Sequence, residues 1–179
     1  MMAARLLATK GVREFVEAAQ QLNEEGVHAR FWLVGDIDIE NPASIQAHEL
    51  EHWEQQGHVE LLGHRTDMAV LMAQASIVIL PSYREGLPKV LIEAAACGRA
   101  VVTTDVPGCR DAIENGVTGV LVPTRDTQAL AIAMKQLIEN RNTCETMGCA
   151  GRIKAEQVFD VNAVVKTHLD IYRAVGAQQ

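Results

Sequence analysis

Ile77-Val78-Ile79-Leu80, then Pro81-Ser82-Tyr83-Arg84-Glu85-Gly86-Leu87-Pro88, then Lys89-Val90-Leu91-Ile92-Glu93-Ala94-Ala95-Ala96-Cys97-Gly98 and, after Arg99, Ala100-Val101-Val102-Thr103 decide how this chain folds. The first and last runs are short and apolar, the pattern of strands buried on both faces. The run between the loop and Gly98 reads as a helix. Outward from this unit the same alternation repeats. Further apolar runs stand at Met2 to Leu7, Ala29 to Val34, Val59 to Leu62 and Gly119 to Val122, with helical segments between them. The clearest helical stripe is Val12, Phe15, Val16, Ala19 and Leu22, ending at Gly26; another is Leu130, Ala133, Met134, Leu137 and Ile138, with Asp126 as its N-cap. Strands and helices in alternation predict an α/β domain: a single Rossmann-like, doubly wound parallel sheet of about six strands. From about residue 126 the strands stop and a helical C-terminal tail follows, so residues 1–179 are expected to form one domain.

The bulk numbers agree with that reading. The chain has 179 residues, 48% hydrophobic and 22% charged, which excludes disorder and fibrous repeats. A domain of this size buries about 70% of its unfolded surface, enough for a core without disulfides. Sixteen Lys+Arg against 23 Asp+Glu give a net charge of −7, the wrong sign for nonspecific binding of nucleic acid, so no nucleic-acid partner is expected and any anion site must be local. Cys97, Cys109, Cys144 and Cys149 show no C-x-x-C pair and read as four reduced thiols. No apolar run approaches the roughly 20 residues that cross a bilayer, and the N-terminus lacks a secretion-signal core, so the expected location is the cytoplasm.

Ligands in doubly wound sheets sit outside the carboxyl ends of the strands. The richest loop there is Pro81 to Pro88. Gly86 permits close approach of the backbone, Pro88 suits the first helical position, and the helix N-terminus offers amides and a positive dipole end to an anion. Glu85 in the loop and Glu93 in the second turn place two carboxylates at different depths of one pocket, suited to the hydroxyls of a sugar and a ribose on either side of a phosphate. By spacing alone the same residues also fit solvated charges. Arg5 and Lys10-Gly11 add cations at the first loop.

These residues resemble a known family. Arg5 with Lys10-Gly11, Val34-Gly35-Asp36, Leu62-Gly63-His64-Arg65-Thr66-Asp67, and Pro81-Ser82-x-x-Glu85-Gly86 with Glu93 eight positions on, look like the C-terminal, donor-binding half of retaining GT-B glycosyltransferases of family four. The resemblance implies that Arg5 and Lys10 hold the donor diphosphate and stabilise the leaving nucleotide, that Glu85 binds the transferred sugar, and that Glu93 binds the ribose. It places Gly86, Leu87 and Pro88 over sugar and phosphate, and Gly35, Gly63 and Arg65 in the loops against the nucleotide. Pro88 lacks an N–H, and Gly86-Leu87-Pro88 departs from the commoner E-G-F-G-L form, as does Ile37 where the family often has a second glycine. The implied donor is a UDP-, GDP- or ADP-sugar, with no metal and no separate cofactor. The implied reaction retains configuration by front-face attack, in bacterial polysaccharide or lipopolysaccharide synthesis, with the full-length enzyme peripheral to the inner face of the membrane. The acceptor-binding N-terminal domain is missing from this chain, which is therefore expected to bind donor weakly and transfer nothing alone. In the family the last helix, here resembling Asp160 to Val175, packs on that domain. Without it Val161, Val164, Val165, Leu169, Ile171 and Tyr172 favour self-association.

Three competing readings belong to the sequence. A non-catalytic nucleotide-binding module would use the same loops. His48-Glu49-Leu50-Glu51-His52 matches H-E-x-x-H, the helical zinc motif of a hydrolase. The apolar stripe Ala43, Ala47, Leu50 and Trp53 leaves both histidines beside it, with no third ligand at a known spacing, so solvated histidines are expected. Asp36-Ile37-Asp38 resembles the metal-binding D-x-D of the GT-A fold and is read as incidental.

Overall fold

The computed structural model describes residues 1–176, so residues 177–179 of the expected domain lie outside the described part. Six parallel strands, β1 (Met2–Ala3), β2 (Trp32–Val34), β3 (Glu60–Gly63), β4 (Ile77–Leu80), β5 (Ala100–Thr104) and β6 (Gly119–Val122), form one sheet in the order β3-β2-β1-β4-β5-β6. The helices between them are α1 (Val12–Glu24), α2 (Ala47–Gln56), α3 (Met68–Gln74), α4 (Lys89–Ala96) and α5 (Pro107–Ala112). Then α6 (Thr127–Glu139), α7 (Arg141–Val158) and α8 (Val161–Gly176) complete the helical tail.

Both faces of the sheet are covered, and the central strand β4 is apolar and buried at every position. Along β4, Ile77 and Ile79 enter a core with Phe15, Val16 and Leu22 of α1 and Leu130, Met134 and Leu137 of α6. Val78 and Leu80 point the other way, toward Leu71 and Met72 of α3, Leu91 of α4 and Cys109 of α5. Each fully buried large side chain is worth about 1.5–3 kcal/mol. Asp126 caps α6 as expected, its side chain accepting from Ala129 N at 2.8 Å. All four cysteines are free.

The first strand is shorter than its sequence suggests, ending at Ala3 rather than Leu7. Beyond it the chain leaves β4 and runs against the β2–α2 loop, with Leu6 N donating to Asp36 O at 3.0 Å and Ile45 N to Leu6 O at 2.8 Å. Leu6 and Leu7 are apolar because that loop buries them, not because they lie in the sheet.

α8 has no buried residue, and Val161, Val164, Val165, Leu169, Ile171 and Tyr172 are 43% to 68% exposed. None of the described helices is long and apolar enough to cross a membrane. The sheet order reverses between β1 and β4, where chain winding in one direction from β1 to β3 meets winding in the other from β4 to β6. The β1–α1 and β4–α4 loops therefore open side by side at this switch point. The larger cavity, about 950 Å³, lies at the opposite edge, among Met1, Phe31, Ile77 and Arg99 ahead of the strands, and holds none of the expected site residues.

Candidate functional site

Close backbone contact brings the two loops together. Thr9 O accepts from Ser82 Oγ at 3.1 Å and from Tyr83 N at 2.9 Å. Gly11, the N-cap of α1, has φ +74°, and a Cβ there would collide with the Pro81 carbonyl oxygen and lie 2.7 Å from its carbon. Only glycine fits.

That stitch sets Lys10 beside Glu85. Lys10 Nζ and Glu85 Oε1 are 2.6 Å apart, with the side chains only 24% and 10% exposed. They line a cleft of about 310 Å³ with Ala4, Arg5, Leu87 and Pro88. At its rim Arg5 pairs with Asp38 at 3.1 Å and stays 67% exposed. α4 begins against the cleft and no side chain caps its N-terminus, so an anion can take the open amides. Pro88 is the N-cap there, with extended φ −72° and ψ 112°, and Lys89 rather than Pro88 opens the helix. Glu93 lies one turn on, 39% exposed and 3.1 Å from Lys89.

The second group of expected residues gathers at β2 and β3. Gly35 donates its N–H to Gly63 O at 2.9 Å. A Cβ on Gly35 would collide with the Ala4 carbonyl, so this loop presses on the chain just ahead of Arg5. A Cβ on Gly63 would lie 3.7 Å from Asp36 Oδ1. Arg65 is turned to Asp67, which accepts from both ends of its guanidinium at 2.8 and 2.6 Å, and it makes no contact with the Lys10–Glu85 pair.

Residues 1–140 match the model of a family described as glycosyl transferases group 1. The chain belongs to this glycosyltransferase family. It is 35% identical over 98% of its length to N,N'-diacetylbacillosaminyl-diphospho-undecaprenol alpha-1,3-N-acetylgalactosaminyltransferase of Campylobacter jejuni, covering 44% of that protein. It is 30% identical over 87% of its length to the capsular polysaccharide biosynthesis glycosyltransferase CapM of Staphylococcus aureus, covering 40% of it. The chain thus spans less than half the length of these curated relatives. Among solved structures, HepE of Anabaena in complex with UDP superposes with a TM-score of 0.86 at 27% identity, over 97% of this chain and 48% of that one. Sucrose-phosphate synthase of Thermosynechococcus elongatus gives a TM-score of 0.88 at 27% identity, over 99% and 45%.

In this member of the family several residues support the loops that sequence reading did not single out. Thr104 Oγ1 donates to Ser82 O, and Thr103 Oγ1 to Leu80 O at 2.7 Å. Two buried threonines closing an apolar strand were the available clue. A Cβ on Gly108 would collide with the Gly86 carbonyl and lie 2.7 Å from Glu85 O, so α5 backs directly onto the loop that carries Glu85. Tyr83 donates its hydroxyl to Glu14 of α1, and the Arg125 guanidinium lies 4.6 Å over its ring. Glu14 Oε2 is buried without a partner.

Burial first, and the Glu14 carboxylate second, push the Tyr83 phenol from 10.0 up to about 12. The folded chain keeps this proton longer than the unfolded one. The resulting stability is complete below pH 10 and is lost as pH rises through about 12. Phenolate absorbance that disappears in Tyr83→Phe is expected to rise near pH 12 in the parent. A rise near pH 10 would mean that Tyr83 is neither buried nor held against Glu14.

Both competing metal motifs are occupied by other work. Glu49 accepts from Arg13 Nε at 2.7 Å and Nη2 at 3.0 Å, and from Gln46 N at 3.0 Å in a capping box. The Arg13 hydrogen bond, more than any other cause, holds its carboxyl below the usual range. A glutamate so engaged is not free to activate water between His48 and His52. Asp38 is taken by Arg5. Among the described residues no three His, Cys, Asp or Glu side chains converge as metal ligands would.

Proposed function

We propose that this chain is the nucleotide-sugar-binding half of a retaining, metal-independent glycosyltransferase of bacterial polysaccharide or lipopolysaccharide synthesis. The observation that carries the proposal is the meeting of Lys10 and Glu85, from two loops of the sheet's switch point, in a cleft at the uncapped start of α4. A diphosphate supplies the anion for Lys10, Arg5 and the α4 amides; the sugar supplies hydroxyls for Glu85; the ribose supplies them for Glu93. Stabilising negative charge on the departing nucleoside diphosphate is electrostatic work that preorganised cations and amides perform. The departing phosphate can itself receive the acceptor proton, so no further general base is required. Gly86, Leu87, Gly35 and Gly63 set the shape of the cleft and its neighbouring loop, and Arg65 reaches the nucleotide only by leaving Asp67.

The relatives' names support the reaction class, and the UDP in the HepE complex supports the donor class. The acceptor falls to a second, N-terminal domain, for which the relatives' greater length leaves room. The exposed apolar residues of α8 then cover that domain, or pair with another copy when it is absent.

Calorimetric titration of the chain with UDP-, GDP- and ADP-sugars tests the reading. Binding of one nucleotide class is expected; failure of all three overturns it. Glu93→Ala should weaken the bare nucleoside diphosphate and its sugar alike, by about 1–3 kcal/mol for a lost charged hydrogen bond. A loss confined to the sugar nucleotide would move Glu93 away from the ribose.

A further inference from the structure

We propose that the Lys10–Glu85 ion pair makes Glu85 a specificity-determining residue: it competes for Lys10 against a bare nucleoside diphosphate, and yields Lys10 at lower cost when a sugar hydroxyl takes its place. This rests on the donor-binding reading above and adds to it a preference for the loaded nucleotide over the spent one.

Lys10 is committed to Glu85 at 2.6 Å, and Arg5 to Asp38 at 3.1 Å. The two pairs are not equivalent. Arg5 is 67% exposed, and a pair so placed is screened and weak. Lys10 and Glu85 are 24% and 10% exposed, so separating them costs more, because a carboxylate left alone there is poorly hydrated.

Glu85 also has little freedom to retreat. Its loop is held by Ser82 and Tyr83 on Thr9 O, and from behind by Gly108 against the Glu85 and Gly86 carbonyls. When a diphosphate draws Lys10 away, Glu85 therefore remains close to the new negative charge with its partner gone. Among the described residues no other side chain donates to Glu85. A sugar linked to the diphosphate brings hydroxyl donors to that carboxylate and replaces the lost hydrogen bond. A bare nucleoside diphosphate brings none. Sugar and diphosphate thus bind cooperatively through one exchange of partners, and after transfer Glu85 reclaims Lys10 and helps to expel the product.

The test is calorimetric titration of the chain with UDP, GDP and ADP and with the matching glucose nucleotides, comparing the parent with Glu85→Gln, Lys10→Gln and the double variant. Replacing the carboxylate by an amide keeps the shape and removes the competing charge. Glu85→Gln should bind the preferred nucleoside diphosphate about five- to tenfold more tightly, the scale of one sheltered ion pair, and should lose most of the parent's preference for the glucose nucleotide. In the Lys10→Gln background the same substitution should change diphosphate affinity by less than about twofold, since the competition has lost its object. A Glu85→Gln chain with parental melting temperature and unchanged or weaker diphosphate binding overturns this proposal alone. An equal gain in both backgrounds overturns it too, because simple charge repulsion would then suffice. No nucleotide binding by the parent overturns it together with the donor-binding reading.

Discussion

Gly11→Ala is expected to lower the melting temperature by roughly 10 °C and to abolish nucleotide binding even where the chain still folds. Two costs add. An alanine at φ +74° gives up about 1 kcal/mol against glycine. The larger cost is steric: the new methyl would overlap the Pro81 carbonyl oxygen, and backbone, unlike the end of a long side chain, cannot turn aside. Overpacking of this kind costs about 1–3 kcal/mol, and each kcal/mol lowers the midpoint of a 150–250-residue domain by about 2–4 °C. Relief requires the β1–α1 and β4–α4 loops to separate, which parts Lys10 from Glu85. Thermal melts and calorimetry on the same sample check both halves. Gly26→Ala is the useful contrast: it shares a positive φ of +77° but has nothing within 4 Å of the added methyl, so it should show the backbone cost alone and bind nucleotide normally. Normal binding by Gly11→Ala would mean that the loop contact does not organise the cleft.

The second large effect is expected at Lys10. Lys10→Ala should weaken nucleoside diphosphate binding about a hundredfold, near the upper end of the range for a charge-assisted hydrogen bond, because Lys10 is the cation the cleft shelters from water. Arg5→Ala should cost only a few-fold, since Arg5 is mostly in water and pairs with Asp38. The ranking is the point of the measurement. Should Arg5→Ala prove the more damaging, the diphosphate would sit at the rim of the cleft rather than over Lys10 and the α4 amides.

The residues that carry local periodicity were readable from sequence, and those that act through backbone contact were not. β4 and β6 fall where their apolar runs place them, because every side chain in those runs meets a core. The charged residues of the loops were singled out by family resemblance, since by spacing alone they also fit solvated charges; the structure brings Lys10 and Glu85 together, while Glu93 is not among the residues lining their cleft. Thr9 was missed since its contribution is a carbonyl oxygen, which any residue owns. Gly108 was missed for a related reason: its closeness to Gly86 depends on where a later strand sets α5, and nothing near Gly108 in the chain encodes that distance. The end of β1 was misplaced because burial under a loop and burial in a sheet favour the same leucines. The zinc-like motif on α2 was read as solvated histidines, and both are exposed, with Glu49 between them serving Arg13 and the helix start.

Lys10 and Glu85 are 75 positions apart, and β1, the strand ahead of the loop that carries Lys10, is flanked on one side by β4. A nascent chain that has emerged only as far as β3 holds the first cation, the Gly35–Gly63 contact and half of the sheet, but presents β1 with an unpaired edge and nothing opposite Lys10. The cleft closes only after residues 77–88 have been added, and its backing waits further for Gly108 of α5. Ligand recognition is consequently a late acquisition during synthesis, available to a ribosome-bound chain only once both windings of the sheet have met.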